Sequence, residues 1–118
     1  MIFFRGDIVE IYEEISGREC GVDQYNKPRK CIQLRGIVDG DLQPASPNES
    51  RDAFGTKTNN SHKLYLDPNV KIENTNILKI NGYTGFFEIV GTPMIYTKFI
   101  PHQLVSLRHI PHETRVSI

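Results

Sequence analysis

Tryptophan is absent from this 118-residue chain, cysteine and methionine occur twice each, and neither sign of charge is in excess, with 14 Lys+Arg against 14 Asp+Glu. Each shortage excludes something. A neutral chain lacks the basic surface that supplies most of the affinity of a general nucleic-acid binder, although a local basic patch is still open to it. No apolar run approaches the about 20 residues that a membrane helix needs, so no membrane role is expected. The start, Met-Ile-Phe-Phe-Arg-Gly-Asp, is too short for a signal peptide, because Asp7 follows at once. Cys20 and Cys31 form no Cys-x-x-Cys and are a poor metal signature. A disulfide across a hairpin is geometrically conceivable, but without a secretion signal free thiols are expected. His62, His102, His109 and His112 show no ligand spacing on a helix and read as surface or strand residues. There is no Gly-x-Gly-x-x-Gly, no P-loop and no His-Glu-x-x-His. The chain is therefore read as no enzyme, with no cofactor and no metal. Long amphipathic helices are missing too.

What is present is short strands. The length suits a single domain, 1–118, with a core of its own. Asp7-Ile-Val-Glu-Ile-Tyr-Glu is β-branched and aromatic, with Val9 and Ile11 on the core face and Ile8, Glu10 and Tyr12 on the other. Residues 14–29 contain Gly17, Gly21, Asn26 and Pro28, and read as a long flexible hairpin tip. The return strand starts at Cys31 and runs to Pro44, kinked at Gly36 and Gly40. Lys63-Leu-Tyr-Leu is a short strand broken by Asp67-Pro-Asn; residues 70–76 connect onward, with room for a helical turn. A strand over 76–80 meets Asn81-Gly82, a strong hairpin signal, with 83–91 as its partner. Thr92-Pro-Met then turns the chain, and strands over 94–100 and 102–110 close the fold, with Val105 and Leu107 in the core. The tail, 111–118, is expected to fray unless a partner holds it. The expectation is an all-β fold: a small barrel or sandwich of six to seven short strands, with one short helix and a long loop.

The long loop is the polar excursion 45–61, unusual in so small a domain and therefore the first functional suspect. Ser46-Pro-Asn-Glu has Ser at an N-cap, Pro at the first helical position and Glu49 three residues on, which predicts a helix over 47–54 ending at Gly55. Ala53 and Phe54 are its apolar anchors, and residues 56–61 are expected to be mobile. Two weaker signals stand elsewhere. Asp39 and Asp41 flank Gly40, either as a cation site or as a solvated strand edge. Lys27, Arg29, Lys30 and Arg35 gather in the first hairpin around Tyr25, either to touch phosphate or to keep the hairpin from edge-to-edge pairing.

The order of these pieces resembles the head–tail joining, or head-closure (stopper), proteins of long-tailed bacteriophages. The residues that carry the resemblance run from about Asp7 to Ile110. They are the first strand, then Gln43-Pro44-Ala-Ser46-Pro-Asn-Glu49-Ser, then Leu64-Tyr-Leu-Asp-Pro. Ile77-Leu-Lys-Ile-Asn-Gly-Tyr and Glu88-Ile-Val-Gly91-Thr-Pro93 follow, and His102-Gln-Leu-Val-Ser-Leu-Arg108-His ends the series. The extended first hairpin through Cys20 and Cys31 departs from the pattern. The resemblance implies a virion protein at the head–tail interface, made in the bacterial cytoplasm. It implies a homo-oligomeric ring, dodecameric in the virion, between a portal or adaptor protein above and a tail-completion or tail-tube protein below. The ring closes the exit channel on the packaged double-stranded DNA and offers the tail a docking surface. The loop 45–61 then faces the channel, with Ser46, Asn48, Glu49, Arg51, Phe54, Thr56, Lys57, Asn59 and Asn60 as its candidate DNA-facing residues. Phe3, Phe4, Tyr25, Lys27 and Arg29 are candidate contacts with neighbouring subunits. Met-Ile-Phe-Phe at the start is either a barrel strand or a docking segment. Two other readings compete: a tail-completion protein and a small nucleic-acid-binding barrel, which would need a basic, aromatic-studded face.

Overall fold

The structure is a computed structural model that describes residues 6–22, 24–44 and 61–118. The expectations for residues 1–5 and 45–60, the helix over 47–54 among them, lie outside the described residues.

The β-branched and aromatic runs form six strands: β1 (Asp7–Ser16), β2 (Lys30–Pro44), β3 (Ser61–Leu66), β4 (Ile77–Ile80), β5 (Phe86–Tyr96) and β6 (His102–Ile110). They close into one antiparallel barrel in the order β1-β2-β3-β6-β5-β4. The all-β expectation holds, with six strands among the described residues. Ser61, placed by the sequence in the excursion, is the first residue of β3 and is buried.

Alternation fills the barrel as the sequence predicts. Val9, Ile11, Leu64, Leu66, Leu78, Ile80, Phe87, Ile89, Val105 and Leu107 form the interior. Burying one such side chain is worth roughly 1.5–3 kcal/mol. The seam that closes the barrel is β1 on β4, from Val9 opposite Ile80 to Tyr12 opposite Ile77. Asn81 brackets this seam. Its Oδ1 accepts the Ile8 N–H at 2.8 Å, and its own N–H donates to the Ile8 carbonyl at 3.2 Å.

Several local expectations change. Tyr12 keeps the outer face that alternation assigns, yet it is buried there in a second cluster with Ile32, Ile77 and Phe86. Burial, then the hydrogen bond and charge of Glu10, hold its hydroxyl above the ordinary pKa. The connection 70–76 forms hydrogen-bonded turns rather than a helical turn. Gln103, 2% exposed, donates to the Val70 carbonyl at 2.9 Å, and Val70 and Ile72 pack against the core.

Thr92-Pro-Met does not end its strand. β5 continues to Tyr96 through a bulge between Val90 and Met94, with Gly91 at φ 75°. A proline is tolerated where the ladder is interrupted. Asn81-Gly82 does make a turn, closed by the Tyr83 N–H on the Ile80 carbonyl, but its partner strand starts only at Phe86. Gly85, at φ 73°, lies so close to the end of β6 that an added Cβ would meet the Ile110 carbonyl oxygen at 2.2 Å.

The remaining corrections concern the first hairpin and the tail beside it. A 3-10 turn, Arg18–Cys20, folds Cys20 back to the start of β2, where it is disulfide-bonded to Cys31 across a Cα–Cα distance of 5.5 Å. The free-thiol expectation followed from compartment alone and had no access to this proximity. The tip is itself paired, with Val22 bridged to Pro28 and the Arg29 N–H on the Gly21 carbonyl. The tail does not fray either. It lies beside β2, where the Ile32 N–H donates to the Val116 carbonyl at 2.8 Å and the Ile118 N–H to the Ile32 carbonyl at 3.1 Å. The edge of β2 around Ile32, which β3 does not reach, is what holds it.

Candidate interaction surface

Strand direction sorts the loops between the two ends of the barrel. β1 and β5 run in the same sense, so the β1–β2 and β5–β6 hairpins leave as two arms at one end, beside the 67–76 connection. At the opposite end the chain leaves β2 at Pro44 and re-enters β3 at Ser61, next to the 81–85 turn. The molecule measures 53 × 30 × 24 Å.

The β1–β2 arm is mostly polar, with Val22, Tyr25 and Leu34 as its exposed apolar side chains, and it is internally tied. Arg35 is paired with Glu13, and Lys30 reaches Glu14 at 3.8 Å. Arg115, from the tail, donates to Glu14 and Glu113, each at 2.8 Å. Burial lowers the Arg115 pKa, but the hydrogen bonds and charges of Glu113 and Glu14 outweigh that, and the guanidinium sits above its ordinary value. Tyr25 is 73% exposed at the tip, beside exposed Lys27 and Arg29. The basic cluster of the sequence is therefore divided: Lys30 and Arg35 face carboxylates, while Lys27 and Arg29 stand at the tip.

The β5–β6 arm has the opposite chemistry. Met94, Ile95, Tyr96, Phe99 and Ile100 are all exposed, and Phe99 is completely so. Met94 and Ile95 are adjacent in a strand and point to opposite faces, so both faces of the arm are apolar. Residues 95–100 and His102 line an open hollow of about 530 Å³. Tyr96 stacks on His102 with ring centroids 4.9 Å apart, across the paired positions that end the arm. Phe99 sits at φ 61°, a conformation costly for a side chain of its size. The sequence showed this stretch as a closing strand. Its exposure was not visible, because an apolar run looks the same inside a barrel and beyond its rim.

Two further groupings were not anticipated. His62, Tyr83, Phe87 and His109 cluster where β3 begins and β6 ends; Phe87 stacks on His109 at 4.4 Å, and His109 Nε2 lies 2.7 Å from the Thr84 carbonyl. Their signal was alternation: His62 and His109 continue the inward faces of Leu64 and Leu107. On the outer side of the barrel, Ile8 and Ile37 are 50% and 59% exposed, diagonal neighbours across β1 and β2. Ile8 and Tyr83 line a hollow of about 380 Å³ with Glu10 and Lys79. Asp39, exposed, is paired opposite Ile8; Asp41 accepts from Gln43 Nε2 at 3.0 Å. The two aspartates thus lie on a solvated strand, one of them already engaged by a neighbouring side chain.

Of the sequence-predicted site residues, Tyr25, Lys27 and Arg29 come together at the β1–β2 tip. Ser46, Asn48, Glu49, Arg51, Phe54, Thr56, Lys57, Asn59, Asn60, Phe3 and Phe4 lie outside the described residues.

No family model and no curated protein matches the chain. Among solved structures, the chain is similar in fold to protein SF1141 from Shigella flexneri 2a, a solution structure. The TM-score is 0.65 at 13% identity, over 96% of this chain and 100% of that one. At that identity the likeness speaks for the fold alone.

Proposed function

We propose that this chain is a structural part of a bacteriophage head–tail connector, one that assembles as a ring, closes the DNA exit channel after packaging and presents a docking surface to the tail. The observation that carries this reading is the apolar β5–β6 arm, with Met94, Ile95, Tyr96, Phe99 and Ile100 exposed together. Contiguous exposed apolar surface of this kind marks an interaction site. A second support is the two-ended layout. The excursion resembling the family's channel loop joins β2 to β3 at one end, while both arms leave at the other. A part wedged between a portal or adaptor above and a tail protein below needs two such different ends. The small barrel itself is the fold that the sequence resemblance implies.

The nucleic-acid-binding barrel is the weaker reading, since Arg35, Lys30, Arg108 and Arg115 are all engaged by carboxylates. Electron microscopy of lysates from a phage lacking this protein tests the proposal. DNA-emptied heads beside separate, complete tails are the expected result. Normally joined particles would overturn it.

A further inference from the structure

Two apolar surfaces on this chain are unlike each other and lie at different places. One is the β5–β6 arm. The other is the outer face of β1 and β2 around Ile8 and Ile37, continued by Tyr83. Their charges differ in the same way. Residues 89–112 contain no Asp or Glu, and the arm tip carries Lys98. The Ile8–Ile37 face is acidic, with Glu10 and Asp39 between its apolar residues; Lys79 is paired across the strands with Glu10. A two-stranded hairpin with both faces in water is marginal by itself, so the arm gains most from a partner that covers it.

We propose that the β5–β6 arm of one copy seats on the Ile8–Ile37–Tyr83 face of the next copy, head to tail, with Lys98 meeting Asp39 and Glu10. Because the two surfaces differ, the contact is heterologous: each copy uses its arm on one neighbour and its face on the other, and such a series becomes a ring wherever the rotation between copies closes. The inference rests on the ring-forming reading above and gives it a contact surface. It is tested separately, because association in solution needs no virion.

The experiment is a mixing test by sedimentation velocity. Phe99→Asp destroys the arm and spares the face; Ile37→Asp destroys the face and spares the arm. Both positions are exposed, and thermal melting checks that each variant stays folded. Wild-type protein is expected to show species larger than a dimer, growing with concentration. Each variant alone should be monomeric, and an equimolar mixture should form one-to-one dimers and nothing larger. A wild type that stays monomeric overturns the proposal. So does Ile37→Asp dimerising alone, which means that arms pair with arms, or a mixture that remains monomeric.

If an aspartate variant fails to fold, charge reversal gives the same test. Lys98→Glu and Asp39→Lys should each lower association at least tenfold, and mixing them should recover at least half of that loss. Equal weakness mixed and unmixed would overturn the contact. Heterologous association together with normally joined particles in the lysate would retain this contact and remove the connector role.

Discussion

The two arms leave the same end of one barrel and solve opposite problems. The β1–β2 arm is finished within its own chain. A disulfide closes its tip, Glu13 and Glu14 neutralise Arg35 and Lys30, and the tail lies along Ile32 with Arg115 as its clasp. The β5–β6 arm has, among the described residues, Tyr96 stacked on His102 at its last paired positions, next to the tip, and apolar side chains on both faces. Staples on one arm and bare hydrophobic surface on the other separate stability from recognition. Polar groups near a hairpin tip can be satisfied locally, whereas apolar groups beyond the rim of a barrel can be satisfied only by another surface.

The contrast can be broken at several levels. Phe87→Ala removes the largest interior side chain and should cost about 3–5 kcal/mol, so that barrel and both arms melt together in a urea titration. A smaller effect should separate the arms. Cys31→Ser, or reduction of the wild type, should lower stability by about 2–4 kcal/mol. Amide exchange should then rise in residues 17–31 and stay unchanged in 94–104. Arg115→Ala removes the two carboxylate contacts of the tail. As these groups are partly exposed, the expected loss is under about 1 kcal/mol, with faster exchange at Ile118 and Ile32 as the readout. Phe99→Gly sharpens the contrast most. Relief of the left-handed strain and the added freedom of the unfolded chain nearly cancel, leaving stability within about 1 kcal/mol of wild type. Association should nevertheless be lost. An arm that lost stability to the same extent as Phe87→Ala would be part of the core after all.

How much of this was legible varies with the range of the interaction. Val9, Ile11, Val105 and Leu107 were readable because strand alternation is local, and the Asn81-Gly82 turn because its chemistry is local. Tyr12 was placed on the right face, but a second cluster on the outside of the barrel depends on Phe86, far along the chain. The tail's pairing with Ile32 rests on two backbone hydrogen bonds and has no pattern of its own. Pro93 suggested a stop because a regular ladder would exclude it, and the bulge that admits it is a tertiary feature. Of the candidate site, the tip residues Tyr25, Lys27 and Arg29 were readable by turn chemistry. The apolar arm is strand only through Tyr96, with 97–100 forming the loop to β6 rather than the expected strand, and its exposure left no local pattern to read.

The barrel has one thin stave. β4 holds four residues and meets β5 through only Ile77 and Leu78. The β1–β4 seam joins segments about seventy positions apart, such as Val9 and Ile80, while the β1–β2 hairpin is built from near neighbours. Contacts so distant form late, because the loop between them must close first. The expected order of assembly therefore runs from the hairpins to the seam, and the expected breathing of the native state runs the other way. On that argument the short stave should lift first, and amide exchange at Leu78 and Ile80 should run faster than at Leu64 and Val105 in the β3–β6 wall.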